Sequence, residues 1–202
     1  MGNLLMRRRE LILPSASPSE WDDVWEYTDG APTVDGWVKS GSGSGAAVST
    51  GYRTRGLTFD KADVLTTSGV LEAYFQIINE RNTMTGIRAG LRIGNASNAV
   101  VVLFNSKGTD HRIFLPTYNK SSWTDAYSNV NGTELGAITL GGWYKVRLTI
   151  DGSVGTVEIN DEVVASDINT AGIYLKGGLR FYGSSNQYFG AIWRYVKYKD
   201  NS

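Results

Sequence analysis

The stretch GGWYKVRLTIDGSVGTVEINDEVV, residues 141–164, decides the fold. Its apolar and polar letters alternate from Trp143, break at Asp151-Gly152, alternate again, break at Asn160-Asp161 and resume. Tyr144, Val146, Leu148 and Ile150 share one parity, while Lys145, Arg147 and Thr149 share the other. A period of two with one apolar face marks a strand packed on one side. Gly, Asn and Asp tolerate the positive φ that two-residue hairpin loops demand, so both breaks read as tight turns. The stretch therefore predicts three successive antiparallel strands. It holds no obvious chemistry, which makes it scaffold.

The same signal extends along the chain. SGVLEAYFQIIN (68–79) sets Leu71, Ala73, Phe75 and Ile77 against Glu72, Tyr74 and Gln76. TGIRAGLRIG (85–94) sets Ile87, Ala89, Leu91 and Ile93 against Arg88, Gly90 and Arg92. NAVVVLFNS (98–106) is apolar on both sides and predicts an interior strand. IYLKGGLRFYG (173–183) and YFGAIWRYVKYK (188–199) predict two more, with Gly177-Gly178 bending the first. SGSGSG (40–45) reads as a loop between two early strands. No helical period of useful length follows residue 20. About a dozen short strands separated by turn signals predict an all-β, two-sheet antiparallel β-sandwich rather than a small closed barrel.

The totals restrict function. The chain has 202 residues, of which 41% are hydrophobic, enough for one packed domain. Lys and Arg number 20 and so do Asp and Glu, leaving none of the basic excess that nucleic-acid binding uses. With no Cys, a thiolate metal site and a Cys nucleophile are excluded. The single His, His111, has Asp110 and Arg112 beside it, and strand neighbours point to opposite faces, so Asp110 is badly placed to orient the imidazole. No apolar run approaches the ~18 residues of a membrane span, and Leu11-Ile12-Leu13 is too short for a secretory core. Residues 1–19 differ from the rest: Arg7, Arg8 and Arg9 lie between small apolar clusters, and Pro14 to Pro18 has linker composition. They read as an N-terminal extension to a domain spanning 20–202. The extension is either a frayed end or a docking segment.

The quoted stretch resembles the signature of laminin-G-like and related concanavalin A-like jelly rolls. The matching positions are Trp143, Val146, Leu148, Ile150, Asp151-Gly152, Val157, Ile159 and Asn160-Asp161, with Asp161 where Gly is usual. GLRFYGSSNQYFGAIWRYVKYKD looks like that family's terminal strand pair, matched loosely by Phe189, Ala191, Trp193, Val196 and Tyr198. The resemblance implies two curved sheets of about six or seven strands each. The head, GNLLMRRREL with its Pro/Ser spacer, resembles the opening of small phage or prophage tail proteins. That likeness implies a virion or extracellular setting, and residues 1–13 contacting other tail proteins or sister chains.

Glucanases share the concanavalin A-like fold, and the resemblance would then require paired carboxylates on one strand, about 5–5.5 Å apart for retention. In EWDDVWE, Glu20, Asp22 and Glu26 share parity, but Glu26 falls one residue too late. Glu158 and Glu162 have a turn between them. Calcium would draw on oxygen-rich clusters at Asp60/Asp63, Asp125/Asn129/Asn131 or Asp151/Asn160/Asp161, although backbone turns require the same residue types and no ligand spacing is kept. The segment PTYNKSSWTDAYSNVNGTE (116–134) is long for a sandwich loop. It interleaves Tyr118, Trp123 and Tyr127 with Asn119, Asp125, Asn129 and Asn131, joining ring faces for sugar C–H patches to acceptors for hydroxyls. Alternatively, it tucks an aromatic into the core edge. Arg88, Arg92, Glu72, Tyr74, Gln76, Arg180 and Tyr182 form a second candidate, a polar-aromatic floor if their strands are adjacent and an ordinary solvated face if not. Trp37, Trp143 and Trp193 are assigned to packing, and Trp21 and Trp25 to a sheet edge or sandwich end. The expectation is a non-catalytic jelly-roll module that binds carbohydrate on a bacterial surface, with no cofactor. The alternatives are a glycosidase and a structural virion protein.

Overall fold

The computed structural model describes residues 21–28, 31–33, 37–40, 44–55, 58–61, 68–79, 86–94, 99–107, 110–116, 132–170, 179–183 and 189–201. Among the described residues there is no helix, and every strand pairing is antiparallel. In chain order the strands are β1 (Asp23–Thr28), β2 (Ala31–Thr33), β3 (Val38–Ser40), β4 (Ser44–Val48), β5 (Gly51–Arg55), β6 (Thr58–Lys61), β7 (Ser68–Asn79) and β8 (Gly86–Gly94). Then follow β9 (Ala99–Lys107), β10 (Asp110–Pro116), β11 (Gly132–Ala137), β12 (Trp143–Asp151), β13 (Val154–Ile159), β14 (Glu162–Asn169), β15 (Leu179–Gly183) and β16 (Phe189–Asp200).

They form two sheets. A nine-stranded sheet runs β14-β13-β12-β7-β16-β1-β2, with β5 also on β16 and β4 on β5. A seven-stranded sheet runs β11-β10-β9-β8-β15-β6-β3. The expected two-layer β-sandwich is the observed fold. The strands beyond the expected dozen are mostly short pieces between Ala31 and Lys61.

The deciding stretch folds as its letters indicate. Along β12 the inward parity is buried throughout, and the outward parity is half-buried up to Thr149 and exposed at Asp151. Asp151 pairs with Val154 across Gly152-Ser153, and Gly152 takes φ 58° at the first loop position, as a type II′ turn requires. Ile159 pairs with Glu162 across Asn160 and Asp161, whose φ values of 53° and 68° define a type I′ turn. Asn160 Oδ1 also accepts the Lys145 N–H at 2.9 Å, locking this turn onto β12.

The core lies between the sheets. Leu71, Ala73, Phe75 and Ile77 of β7 and Ala89, Leu91 and Ile93 of β8 are fully buried, as their alternation predicted. Phe75 meets Phe104 of β9 edge-on at 5.0 Å and Trp193 of β16 at 4.4 Å. The buried Trp193 Nε1–H donates to Thr54 Oγ1 at 2.9 Å, so the indole enters the interior with its polar atom satisfied.

Two local readings change. Ser44 and Gly45 belong to β4 rather than to a loop. At Gly45 the ring end of Tyr52 of β5 lies over the space a Cβ would fill, so a larger residue there would have to displace it. Trp25 is a core residue packed on Tyr52 and Phe59, not a cover at the sandwich end. The pair Gly177-Gly178 lies outside the described residues.

Candidate functional site

Arg88 and Arg92 lie on β8 and Tyr182 on β15, its neighbour in the seven-stranded sheet. In register, Tyr182 stands opposite Gly90, and Arg180 opposite Arg92. Pro116 and Gly132, which flank the long polar-aromatic segment, pair with each other across β10 and β11 of the same sheet. Tyr118, Asn119, Trp123, Asp125, Tyr127 and Asn129 lie outside the described residues. Glu72, Tyr74 and Gln76 are on β7 in the opposite sheet. The condition for a single floor, adjacent strands, is therefore not met: β7 belongs to one sheet, and β8 and β15 to the other. Nor is the seven-stranded outer face simply bathed in water. Arg92, Leu103 and Asn105 have outward parity yet are only 6%, 1% and 3% exposed.

The nine-stranded outer face carries a connected network that rests on strand register. Glu72 of β7 is flanked by Arg147 of β12 and Lys197 of β16, and Arg147 by Glu158 of β13. Arg147 Nε and Nη2 donate to Glu72 Oε2 at 2.9 and 2.6 Å, and Nη1 donates to Glu158 Oε2 at 3.2 Å. Tyr195 Oη donates to the other oxygen, Glu72 Oε1, at 2.9 Å. Glu72 is almost buried, and these donors stand in for the water it has lost. The hydrogen bond to Glu72 is the main cause that raises the Arg147 guanidinium above its usual value. Burial first, and then the bond to Glu72, push the Tyr195 phenol well above its usual value. Alongside runs an aromatic ladder: Trp143 stacks on Tyr74 at 4.9 Å and 27°, and Tyr74 lies 5.8 Å from Tyr195. Lys197 Nζ sits 4.4 Å above the Tyr195 ring.

Trp143 is thus not a core residue. Its own sequence context said so, because Tyr144, Val146, Leu148 and Ile150 claim the inward parity and leave Trp143 with Lys145 and Arg147 on the other face.

A cleft of about 540 Å³ opens on one side of the sandwich, where β11 and β14, the terminal strands of the two sheets, come together. Ile113, Leu135, Ile159 and Val164 make its apolar wall, and Thr139, Trp143, Asn160 and Glu162 also line it. Its frame is fixed. The Thr139 N–H donates to Tyr144 Oη at 2.6 Å, the Gly142 N–H to Thr139 O at 3.0 Å, and the Gly141 N–H to Ile77 O at 2.8 Å.

Among the described residues no three His, Cys, Asp or Glu side chains gather around a metal-sized space. Asp151 and the Asn160-Asp161 turn lie at opposite ends of β13, so that oxygen-rich group does not converge. Asp151 accepts the Ser68 hydroxyl, and Asp161 pairs with Lys145. Asp63, Asp125, Asn129 and Asn131 lie outside the described residues, as does Glu20. Of the carboxylates considered for hydrolysis, Asp22 accepts the Asp200 N–H, Glu26 lies opposite Tyr195 in the β1–β16 register, Glu158 binds Arg147 and Glu162 lines the cleft. Among the described residues no helix is long and apolar enough to cross a membrane.

No protein-family model matches the sequence, and no curated protein matches it. Solved structures do match. A carbohydrate esterase from the Shiga toxin-encoding bacteriophage phi24B superposes with a TM-score of 0.64 at 11% identity, over 89% of this chain and 97% of that one. The exoplasmic/lumenal domain of VIP36, in its Ca2+/Man-bound form, gives 0.55 at 12% identity, over 82% and 83%. Lectin I-B4 from Griffonia simplicifolia, in a metal-free form, gives 0.51 at 11% identity, over 83% and 94%. The fold is concanavalin A-like. At these identities the likeness concerns architecture, and the concanavalin A-like sandwich of this chain carries its own side chains on both outer faces.

Proposed function

We propose that this chain is a non-catalytic glycan-binding module of a phage or prophage tail, and that it reads a carbohydrate on the bacterial surface. The observation that carries the reading is the side-chain chemistry joined to the seven-stranded sheet. Arg88, Arg92 and Tyr182 belong to that sheet, and the segment with Tyr118, Asn119, Trp123, Asp125, Tyr127 and Asn129 leaves and re-enters it through the paired Pro116 and Gly132. Stacking on rings plus hydrogen bonds from amides, carboxylates and guanidinium groups is the chemistry that recognises sugars. The concanavalin A-like fold supports the reading, since lectins use it. A phage protein with the same fold supports the tail setting. Residues 1–13 would join the module to sister chains or other tail proteins, and many copies would amplify weak single-site binding.

The test is a glycan array probed with the full chain and with Trp123→Ala. Loss of signal at unchanged melting temperature supports the loop site, and an intact signal removes Trp123 from it. Bound glycans recovered unaltered, with neither reducing ends nor acyl groups released, support binding without turnover. Turnover would favour a hydrolase or esterase. No signal from any glycan would favour a purely structural virion protein. The reading requires no cofactor, so binding is expected to survive EDTA; its loss on chelation and return with calcium would add the metal.

A further inference from the structure

An edge strand offers its unpaired N–H and C=O groups to any other strand that meets it. Among the described residues, β14, β2 and β4 of the nine-stranded sheet and β11 and β3 of the other have a strand on one side only. All but β4 carry features that discourage pairing. β14 breaks register twice against β13, holds Asp167 at φ 56° and exposes Glu162 and Asp167. β11 breaks register against β10 and exposes Glu134. β2 is three residues long with Pro32 at its centre, and β3 is three residues long with Lys39 at its centre. β4 has no proline, no charge and no register break. We propose that the open edge of β4 docks a second copy of this chain, antiparallel about a twofold axis, so that two nine-stranded sheets become one.

The backbone of β4 is set for this contact. The strand keeps register with β5 along its whole length, and Ala46 and Ala47 are both exposed, so neither face is covered there. Val48 and Gly51 close the two-residue loop as a hydrogen-bonded pair, and alternation makes Ala46 and Arg53 the next such pair. Gly45 and Ala47 fall between, so their N–H and C=O groups point away from β5 to the open side. A twofold axis at Ala46 sets Gly45 of each copy opposite Ala47 of the other, and each such pair exchanges both backbone bonds. Ala46 then faces Ala46 of the second copy, a pair of small side chains without steric conflict. Tyr52, whose ring end lies over Gly45 on the edge strand, would lie beside Ala47 of the second copy on the same face.

Charge selects the occupant. β4 is uncharged, and the chain as a whole has a formal net charge of +0. Two β4 edges therefore meet without the like-charge repulsion that two β14 edges would bring. Arg53, opposite Ala46 on β5, would stand three strand spacings from its symmetry mate, about 14 Å. That exceeds the ~8 Å screening length at physiological salt. The head is a poorer occupant, because Arg7, Arg8 and Arg9 would come within one strand of Arg53 and Arg55. A five-residue strand pair covers less than the ~1,200 Å² of a stable interface, so the dimer is weak and gains from copy number. The contact is independent of the sugar reading and lies apart from residues 1–13.

The experiment is sedimentation equilibrium on the full chain from about 10 μM to about 1 mM, the range in which so small an interface would form, joined to disulfide trapping. A shift from monomer to dimer with rising concentration is expected. Because the chain has no Cys, a single introduced thiol reports its own neighbour. Ala46→Cys is expected to form an intermolecular disulfide with oxidised glutathione. Facing residues of a non-hydrogen-bonded pair have Cα atoms about 4.5 Å apart, inside disulfide range. Val163→Cys, on the exposed β14 edge, is expected to stay reduced or to cap with glutathione. Ala46→Lys sets two ammonium groups face to face across the axis and is expected to leave a monomer at every concentration. Its melting temperature should be unchanged, because Ala46 is exposed. A chain lacking residues 1–13 is expected to dimerise as the parent does. A monomer throughout the range overturns the proposal, as does a dimer that survives Ala46→Lys or disappears with the head. Faster cross-linking through Val163→Cys than through Ala46→Cys places the contact at β14 and overturns it equally.

Discussion

At the scale of single residues, two buried polar arrangements set the expected costs of substitution. Trp193 lies wholly in the interior, and its indole N–H depends on Thr54. Thr54→Val keeps the shape but leaves that donor unmet, which costs about 1–3 kcal/mol; chemical denaturation should show a lower midpoint at an unchanged slope. The second arrangement is Glu72 under Arg147 and Tyr195. Arg147→Met strips a nearly buried carboxylate of its main partner. Breaking a fully buried pair costs about 3–5 kcal/mol. Here the arginine side chain is 37% exposed, so water replaces part of what is lost and about 2 kcal/mol is expected. The double variant Glu72→Leu with Arg147→Met should recover most of that loss, because the charge and its need for a partner vanish together. If the double variant is less stable than the single, the network is held by something other than the pair.

Tyr195 adds a pH dependence whose sign follows from linkage. Its phenol is raised in the folded chain, by burial first and by Glu72 second. Above a pH near the usual phenol value of 10.0 the unfolded chain loses this proton while the folded chain keeps it. Stability from this group is therefore complete below that pH and declines as pH rises toward the folded value. Tyr195→Phe should be less stable than the parent at neutral pH by about 1 kcal/mol, through the lost hydrogen bond. It should also show a shallower decline from about pH 10 to 11. Parallel melting-temperature curves for the two proteins would refute the linkage.

At the scale of elements, legibility followed how much of the answer was local. The β12-β13-β14 meander could be read because alternation fixed the faces and Asp151-Gly152 and Asn160-Asp161 fixed the turns. Asn160→Ala should cost about 1 kcal/mol, through a left-handed backbone position made harder and the bond to Lys145 N–H removed. Equal stability of the variant would mean that the turn does not set the register. By contrast, Gly45 looked like linker because its reason is tertiary: a side chain there would collide with Tyr52. Gly45→Val should therefore destabilise although valine favours strands, and a neutral or stabilising effect would return the segment to loop status. Trp25 was assigned to the wrong surroundings, whereas Trp143, assigned to packing, packs on the outer face against Tyr74. Parity alone could have placed Trp143 outside, but EWDDVWE gives no unbroken apolar face by which to place Trp25 inside. The division of Glu72, Tyr74 and Gln76 from Arg88, Arg92 and Tyr182 was not readable at all. Alternation says which residues share a strand face, not which strands share a sheet, and β7 takes its partners from β12 and β16, far along the chain. The side cleft was hidden by the same limit.

At the scale of the whole molecule, the order of strands in space governs how the sandwich closes. β16 is the last strand in the chain, yet it lies inside the nine-stranded sheet, with β7 along one edge and β1 and β5 along the other. It also delivers Trp193, Val196 and Tyr198 to the core. Without it, β1, β2, β4 and β5 lose their connection to the rest of the sheet, and the packing around Trp25 and Phe75 loses a wall. A chain ending at residue 188 should therefore lack a cooperative melt and bind dyes specific for exposed apolar surface, although its deciding meander at 141–164 is intact. Calorimetry and dye fluorescence would show it. A sharp transition in the truncated chain would mean that the β12-β13-β14-β7 half folds by itself. Such a result would make the sandwich two cooperative units instead of one. Pairings of such long range also make closure slow, because loop entropy is spent before the contacts that offset it form. The intact chain should refold with a dominant phase on the order of milliseconds to seconds. Asp200→Pro, placed where β1 and β16 begin to pair, removes the backbone donor that Asp22 accepts and should speed unfolding more than it slows folding, if the terminal strands dock last. Slower folding with unchanged unfolding would instead put the meeting of the first and last strands in the nucleus.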